Sequence, residues 1–204
     1  MKLFGLTGGV GMGKSTAAGL LLQSGARVVD TDEIARDLVQ PGQPALAEIS
    51  AVFGNKILNA DGGLDRAALA KIIFADEAAR KNLELILHPR IRERWQSQIE
   101  IWRAASKRSD DGRQEKCALA VVVIPLLFET HAESSFDKII CVACSPASQR
   151  ARLAARGWTA EQAGQRIAAQ MPVEQKIARA HFVIWTEGIL EVHRRQIIEI
   201  IGGN

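Results

Sequence analysis

A glycine-rich stretch near the N-terminus constrains this chain more than any other feature. Residues 8–16 read GGVGMGKST and fit the phosphate-binding pattern G-x-x-x-x-G-K-[ST]; this stretch is called the P-loop below. Glycines allow a tight turn that directs backbone N–H groups at phosphate oxygens, and a following helix N-terminus favours anions. Lys14 can reach the terminal phosphates, and the Ser15 hydroxyl can ligate Mg²⁺.

An apolar run at residues 2–7 predicts a buried strand before the P-loop, and residues 16–23 predict a helix after it. A strand, a glycine-rich loop and a helix in this order predict an α/β fold that binds a nucleoside triphosphate. The residues predicted to hold the nucleotide are Gly8, Gly9, Gly11, Met12, Gly13, Lys14, Ser15 and Thr16.

Carboxylates follow the second predicted strand, at residues 27–29. Ligands in open parallel sheets bind just past the carboxyl ends of the strands, which favours a functional role for Asp32. For Asp30, a substrate contact and a capping or turn role are equally favoured interpretations. Either Thr31 or Asp32 is predicted to cap the next helix, at residues 33–39.

Length and charge narrow the class of protein. At 204 residues the chain suits one α/β domain with small insertions, and a net charge of +3 is too small to suggest a nucleic-acid partner. Basic residues are nonetheless concentrated between residues 149 and 179, as in a segment that closes over phosphates, although a solvated basic helix face is the alternative. Three arginines there are candidate substrate contacts: Arg152, Arg156 and Arg166.

Three cysteines and the lack of a signal peptide predict a reduced, cytoplasmic setting. Cys141 and Cys144 could suggest a metal or redox site, but residues 139–142 predict a buried strand, and positions three apart on a strand point to opposite faces. A structural role is therefore favoured. The longest apolar run, at residues 117–128, is too short to span a bilayer, so no membrane partner is expected.

Two further stretches carry structural predictions. Helices are predicted at residues 66–74 and 76–87; His88-Pro89 is predicted to interrupt them before a long amphipathic helix at residues 90–105. A polar segment at residues 107–116 is predicted to be a surface loop.

A P-loop alone does not distinguish a GTPase, a motor, a transporter ATPase and a small-molecule kinase. The guanine-binding pattern N-K-x-D is incomplete at Asn55-Lys56, and no transporter signature is present. Asp30 and Asp32, together with the basic segment at residues 149–179, favour phosphoryl transfer to a small hydroxyl acceptor. Asp32 would accept the acceptor's proton, while Lys14, Mg²⁺ and late arginines would stabilise charge on the transferred group.

The chain closely resembles the dephospho-CoA kinase family in an ordered set of stretches that runs nearly end to end. They are residues 6–16 (LTGGVGMGKST), 29–36 (VDTDEIAR), 41–42 (PG), 87–89 (LHP), 125–129 (PLLFE) and 166–170 (RIAAQ). The resemblance implies a three-layer P-loop fold, similar to nucleoside monophosphate kinases, with a five-stranded parallel sheet. It also implies that ATP phosphorylates the 3′-hydroxyl of 3′-dephospho-CoA, giving CoA and ADP.

Carried over by position, the resemblance makes Asp32 the catalytic base and Lys14 the phosphate-binding lysine. It implies a core at residues 1–41, 114–148 and 181–204, a helical CoA-side subdomain at 42–113 that includes His88, and a lid at 149–180. The implied ligands are ATP, Mg²⁺ and 3′-dephospho-CoA. A monomer or weak homo-oligomer is expected.

The chain departs from the family pattern at three points. Thr186 stands in a turn where family members commonly have Asn near the adenine, and Arg156-Gly157 replaces a frequent Arg-Asp pair in the lid. Met12 replaces a usual small residue, and only its backbone N–H is expected to matter. Two alternative functions remain open here: a shikimate-kinase-like enzyme, and a nucleotide-binding regulatory module without catalysis.

Overall fold

The structure is a computed structural model that describes residues 1–108 and 119–203. Most of the surface loop predicted at residues 107–116 lies outside the described residues, as does Cys117.

One parallel sheet forms the centre of the described structure. Its strands are β1 (Lys2–Gly8), β2 (Arg27–Asp30), β3 (Leu119–Val123), β4 (Lys138–Ala143) and β5 (Phe182–Trp185). Their order across the sheet is β2-β3-β1-β4-β5, so β1 is central, with Leu6 beside Val123 of β3 and Ile140 of β4. Strand β3 lies within the apolar run at residues 117–128, and all five of its residues are buried, as is typical of a strand covered on both faces.

Helices connect the strands and continue the chain to its end. They are α1 (Lys14–Gln23), α2 (Thr31–Leu38), α3 (Pro44–Phe53), α4 (Arg66–Ala75), α5 (Glu77–Arg108), α6 (Pro146–Ala155), α7 (Ala160–Ala168), α8 (Val173–Arg179) and α9 (Leu190–Gly202). In residues 1–108 and 119–203, the structure contains no helix long and apolar enough to cross a membrane.

Alternating side chains of β1 cover both faces of the sheet. Phe4 and Leu6 lie in a buried cluster that also contains residues of α1 and α9. Gly5 faces the other side, where a Cβ atom would lie 2.5 Å from Cδ1 of Leu127. Apolar groups therefore pack on both faces, which confirms the predicted three-layer α/β architecture.

The chain forms two compact units. One comprises Met1–Val29 and the described part of Ala105–Asn204, and contains most of the sheet. The other is Asp30–Ala104, a helical unit whose own buried cluster includes Ile49, Phe53 and Ile57. The finer division predicted from the sequence, with a helical subdomain at 42–113 and a lid at 149–180, stays a prediction.

The predicted interruption at His88-Pro89 is wrong, because α5 runs without a break through Pro89. Proline removes one backbone hydrogen bond and costs about 3 kcal/mol in a helix interior. Arg90 offsets part of this cost: its Nη1 donates to the Ile86 carbonyl oxygen at 2.6 Å, and its Nη2 donates to Oε2 of Glu48 on α3. Helix packing therefore overrides the local signal.

The predicted start of α2 is also wrong by two residues. The helix begins at Thr31, and Asp30 caps it, because Oδ1 of Asp30 accepts a hydrogen bond from the Asp32 backbone N–H at 2.8 Å. The capping role weighed for Asp30 is therefore present. Asp32 is consequently a first-turn residue of α2, with an exposed side chain.

Candidate active site

The P-loop backbone requires glycine at its first position. Gly8 has φ of 148°, and a Cβ atom there would lie 2.2 Å from the Val142 carbonyl oxygen of β4. Gly13 precedes α1 with φ of 92° in the left-handed region, which other residues rarely adopt. The loop therefore lies directly against the carboxyl end of β4, and its backbone at residues 8 and 13 favours glycine.

Lys14 folds back over the loop that precedes it. Its Nζ donates to the carbonyl oxygens of Gly8 and Gly9, at 2.8 and 2.9 Å. These bonds hold the ammonium group over the start of the P-loop. A fixed positive charge beside a helix N-terminus is a binding arrangement for phosphate.

The first turn of α1 favours an anion and exposes hydroxyl groups. It contains no acidic residue, and Ser15 and Thr16 are both exposed. The positive end of the helix dipole is therefore uncompensated by a side chain of the helix itself. Such a terminus, with the lysine beside it, fits the terminal phosphates of a nucleotide.

Met12 contributes more than the backbone N–H expected of it. Its side chain is buried, and its carbonyl oxygen accepts a hydrogen bond from Oγ1 of Thr186 at 2.9 Å. A Cβ atom on Gly9 would meet the Met12 sulfur at 2.9 Å, so the thioether packs closely under the loop. A polar side chain at this position would therefore be buried, at a cost in stability.

Thr186 lies buried beneath the P-loop. Its hydroxyl accepts from Nη1 of Arg152 at 2.8 Å, and Nη2 of Arg152 donates to the Thr186 carbonyl oxygen. The Thr186 backbone N–H donates to Ala143 O of β4 at 2.8 Å. Arg152 and Thr186 thus tie α6 and the end of β5 to the loop; a substrate contact by Arg152 stays a prediction.

Glu187 holds the N-terminus of α6. Its carboxylate accepts from the Ser145 backbone N–H at 2.7 Å and from the Ser148 hydroxyl at 2.8 Å. Hydrogen bonds from Ser145, and then from Ser148, lower the pKa of Glu187 to about 2. The carboxylate therefore stays ionised at neutral pH and compensates the helix dipole of α6 itself.

The other candidate residues occupy exposed positions. Arg156 follows the last residue of α6, and Arg166 lies on α7 with its guanidinium carbon 5.5 Å from the centroid of the Trp158 ring. His88 lies exposed on α5. Substrate contacts by these three residues stay predictions, as does the catalytic role of Asp32.

The two described cysteines, Cys141 and Cys144, are free and buried. Burial raises the pKa of the Cys141 thiol to about 11, although the positive charges of Lys176 and Lys14 act in the opposite direction. Burial also raises the pKa of Cys144. No group of three or more His, Cys, Asp or Glu side chains within residues 1–108 and 119–203 could hold a metal ion.

An ion pair that sequence reasoning missed lies behind the P-loop. The side chain of Lys176 on α8 is completely buried, and its Nζ lies 2.8 Å from both Oε1 of Glu129 and the Pro125 carbonyl oxygen. The same Glu129 oxygen accepts from the Met171 backbone N–H at 2.9 Å. Glu129 ends the PLLFE stretch, but nothing in the local sequence indicates Lys176 as its partner.

We expect Glu129→Gln to lower the free energy of unfolding by about 2–3 kcal/mol, since it leaves a buried ammonium without a compensating charge. The loss lies below that of a fully buried pair because 21% of the Glu129 side chain is exposed. Urea unfolding would measure it. Lys176→Met in the same chain should restore most of the loss; a double variant as unstable as Glu129→Gln would contradict the role of the pair.

Two glutamines, Gln149 and Gln170, also contact the P-loop. Gln149 Nε2 donates to the Val10 carbonyl oxygen, and Gln170 Oε1 accepts from the Val10 N–H. Gln170 ends the RIAAQ stretch, but nothing in the local sequence shows that it reaches residue 10. For Gln149, no sequence motif indicated a contact with the P-loop.

Comparisons with known proteins cover nearly the whole chain. A family model described as dephospho-CoA kinase (CoaE) matches residues 2–191. The dephospho-CoA kinase of Frankia casuarinae is 43% identical over 200 residues, which are 98% of this chain and 82% of that protein.

Solved structures agree in fold. The crystal structure of TT1252 from Thermus thermophilus matches with a TM-score of 0.81 and 32% identity, over 99% of this chain and 97% of that one. The dephospho-CoA kinase from Campylobacter jejuni matches with a TM-score of 0.67 and 26% identity, over 98% and 95% of the two chains.

Proposed function

The chain belongs to the dephospho-CoA kinase family, and we propose that its P-loop and Asp32 carry out the phosphoryl transfer of that family. The reaction is the ATP-dependent phosphorylation of the 3′-hydroxyl of 3′-dephospho-CoA, which gives CoA and ADP in the last step of coenzyme A synthesis. The observation that carries the proposal is the Lys14 ammonium held over the glycine loop at 2.8 and 2.9 Å from two carbonyl oxygens.

The P-loop would bind the phosphates of ATP through its backbone. Its N–H groups and the N-terminus of α1 supply donors, and Lys14 supplies a positive charge that is already oriented. Because the loop path is fixed by Gly8 and Gly13, little reorganisation accompanies binding. Preorganised donors of this kind stabilise charge that develops during phosphoryl transfer.

Ser15 would hold Mg²⁺, because its hydroxyl is exposed in the first turn of α1, directly after Lys14. Mg²⁺ commonly keeps several waters and binds through one or two protein groups together with substrate phosphates. When bound, the ion neutralises charge on the phosphate oxygens.

Asp32 would act as the general base on the acceptor hydroxyl. It lies two residues beyond the end of β2, and its side chain is exposed in the first turn of α2. Asp30 fixes that turn through its capping hydrogen bond. A carboxylate on a fixed helical turn can take up the hydroxyl proton as the new bond to phosphorus forms.

The other candidate residues are assigned to binding of the substrates. We assign 3′-dephospho-CoA contacts to His88 of the helical unit and phosphate contacts to Arg156 and Arg166, on the basis of their exposure and charge. A lid at residues 149–180 and a monomer or weak homo-oligomer in the cytoplasm stay predictions from the sequence.

An ADP-release assay with three parallel acceptor conditions tests the function. We expect ADP formation with 3′-dephospho-CoA, and only background with shikimate or without an acceptor. Mass spectrometry of the product should show one added phosphoryl group. Equal ADP release in all three conditions would show an ATPase without this acceptor, and release with shikimate alone would overturn the proposed substrate.

A further inference from the structure

Two successive peptide groups join Val10 to Gly9 and to Gly11 at the middle of the P-loop; together they are called the Val10 peptide below, and a side-chain amide holds each of them. The Val10 N–H donates to Oε1 of Gln170 at 2.8 Å, and the Val10 carbonyl oxygen accepts from Nε2 of Gln149 at 2.7 Å. A backbone N–H can only donate and a carbonyl can only accept, so both amide orientations are determined by chemistry. Gln170 therefore fixes the direction of the peptide group between Gly9 and Val10. Gln149 fixes that of the group between Val10 and Gly11.

Gln149 is held firmly by its surroundings. It lies on α6 with only 5% of its surface exposed, one turn before Leu153, which is completely buried against the loop. A Cβ atom on Gly11 would lie 3.0 Å from two Leu153 side-chain atoms. This side of the Val10 peptide is thus supported by packing.

Gln170 is held by the ion pair behind the P-loop. The next residue, Met171, donates its backbone N–H to Oε1 of Glu129 at 2.9 Å, and Lys176 on α8 binds the same oxygen. Lys176 also donates to the Pro125 carbonyl oxygen, which in turn accepts from the Thr7 hydroxyl at 3.1 Å. The link between α7 and α8 is therefore anchored to the loop that follows β3.

The Val10 peptide needs such support because glycine lies on both sides of it. Glycine has the largest conformational freedom of any residue, and fixing the backbone of one residue costs about 1–2 kcal/mol. Gly11 adopts φ of 76°, a conformation that the local sequence does not enforce. Without Gln170, part of this ordering cost would fall on nucleotide binding.

We propose that Gln170 is a positioning residue for phosphoryl transfer. It holds the Val10 peptide so that the P-loop is arranged before ATP binds, and Glu129 acts through Met171 and Lys176 to hold Gln170 in place. This proposal rests on the nucleotide-binding role proposed for the P-loop. It gives the PLLFE and RIAAQ stretches one shared task, which is to brace the phosphate-binding loop from behind.

The test compares Gln170→Met with Gln165→Met in the full chain. Gln165 is an exposed residue of α7 whose side chain contacts Glu161, so it is a matched control. In Gln170→Met we expect faster hydrogen exchange at the Val10 amide. We also expect about a threefold to tenfold lower kcat/KM for ATP, which corresponds to the loss of one hydrogen bond. KM for 3′-dephospho-CoA and the Tm should match the control, the Tm within about 2 °C.

A conservative variant adds a second readout. Gln170→Glu retains an acceptor oxygen, so it should restore slow exchange at the Val10 amide. Unchanged Val10 exchange in Gln170→Met, or an equal loss toward both substrates, would overturn the positioning role.

Lys14→Ala separates this proposal from the proposed function. Normal ATP kinetics in Gln170→Met alongside an inactive Lys14→Ala would remove only the role of Gln170. Normal turnover in Lys14→Ala would remove the P-loop assignment itself.

Discussion

Lys14→Ala is expected to lower turnover of 3′-dephospho-CoA by about 10²–10³-fold, the usual loss when one preorganised donor to transition-state charge is removed. The ammonium group is already held by the Gly8 and Gly9 carbonyl oxygens, so its position does not depend on the nucleotide. Alanine keeps the helix, since it has the highest helix propensity. Steady-state ADP release at saturating substrates would measure the loss.

Lys138→Ala is the matched control for that variant. Lys138 is the first residue of β4, at the amino end of the strand, whereas the P-loop follows the carboxyl end of β1. The control should keep near-native turnover. If both lysine variants lost activity equally, the effect would be one of general stability, and the role of Lys14 in transfer would be wrong.

Asp32→Asn is expected to lose about 10²–10⁴-fold in turnover, the range for removing a general base. An amide has nearly the shape of the carboxylate but cannot accept the hydroxyl proton at neutral pH. The cap of α2 should be unaffected, because it uses the Asp32 backbone N–H and the Asp30 side chain. ATP affinity, measured by calorimetry, should stay within about threefold, so the loss should appear in kcat.

Asp37→Asn on the same helix controls for the change of charge. Asp37 is exposed, and its backbone carbonyl, rather than its side chain, is the acceptor that ends the helix. We expect near-native turnover in this variant. Near-native turnover in Asp32→Asn as well would contradict the general-base assignment, because another group would then have to accept the proton.

The ends of some helices depend only on the local sequence. Thr159 and Gln162 fit a capping box, and the structure contains both of its hydrogen bonds at the start of α7. Pro44 is the first residue of α3, a position that proline favours because its missing N–H would have no partner within the helix. These signals are reliable because one depends on a single residue and the other on two residues three positions apart.

Local signals failed where packing gave a competing result. Pro89 predicted a break, yet Ile86 and Ile91 on either side of it pack into the same buried cluster of the helical unit. Burying such side chains contributes about 1.5–3 kcal/mol each, which offsets the cost of an interior proline. Whether a proline breaks an amphipathic helix thus depends on the apolar side chains that the helix buries.

By itself, the sequence determined the P-loop, the strand before it and the helix after it, and the family, because these follow from residue types at fixed spacing. Only the tertiary structure decided which side chains hold the loop. Gln170 lies 160 positions from Val10, and Lys176 lies 51 positions from Pro125. Local pattern carries no information over such separations, so the bracing of the P-loop emerges only when the parallel sheet brings these segments together.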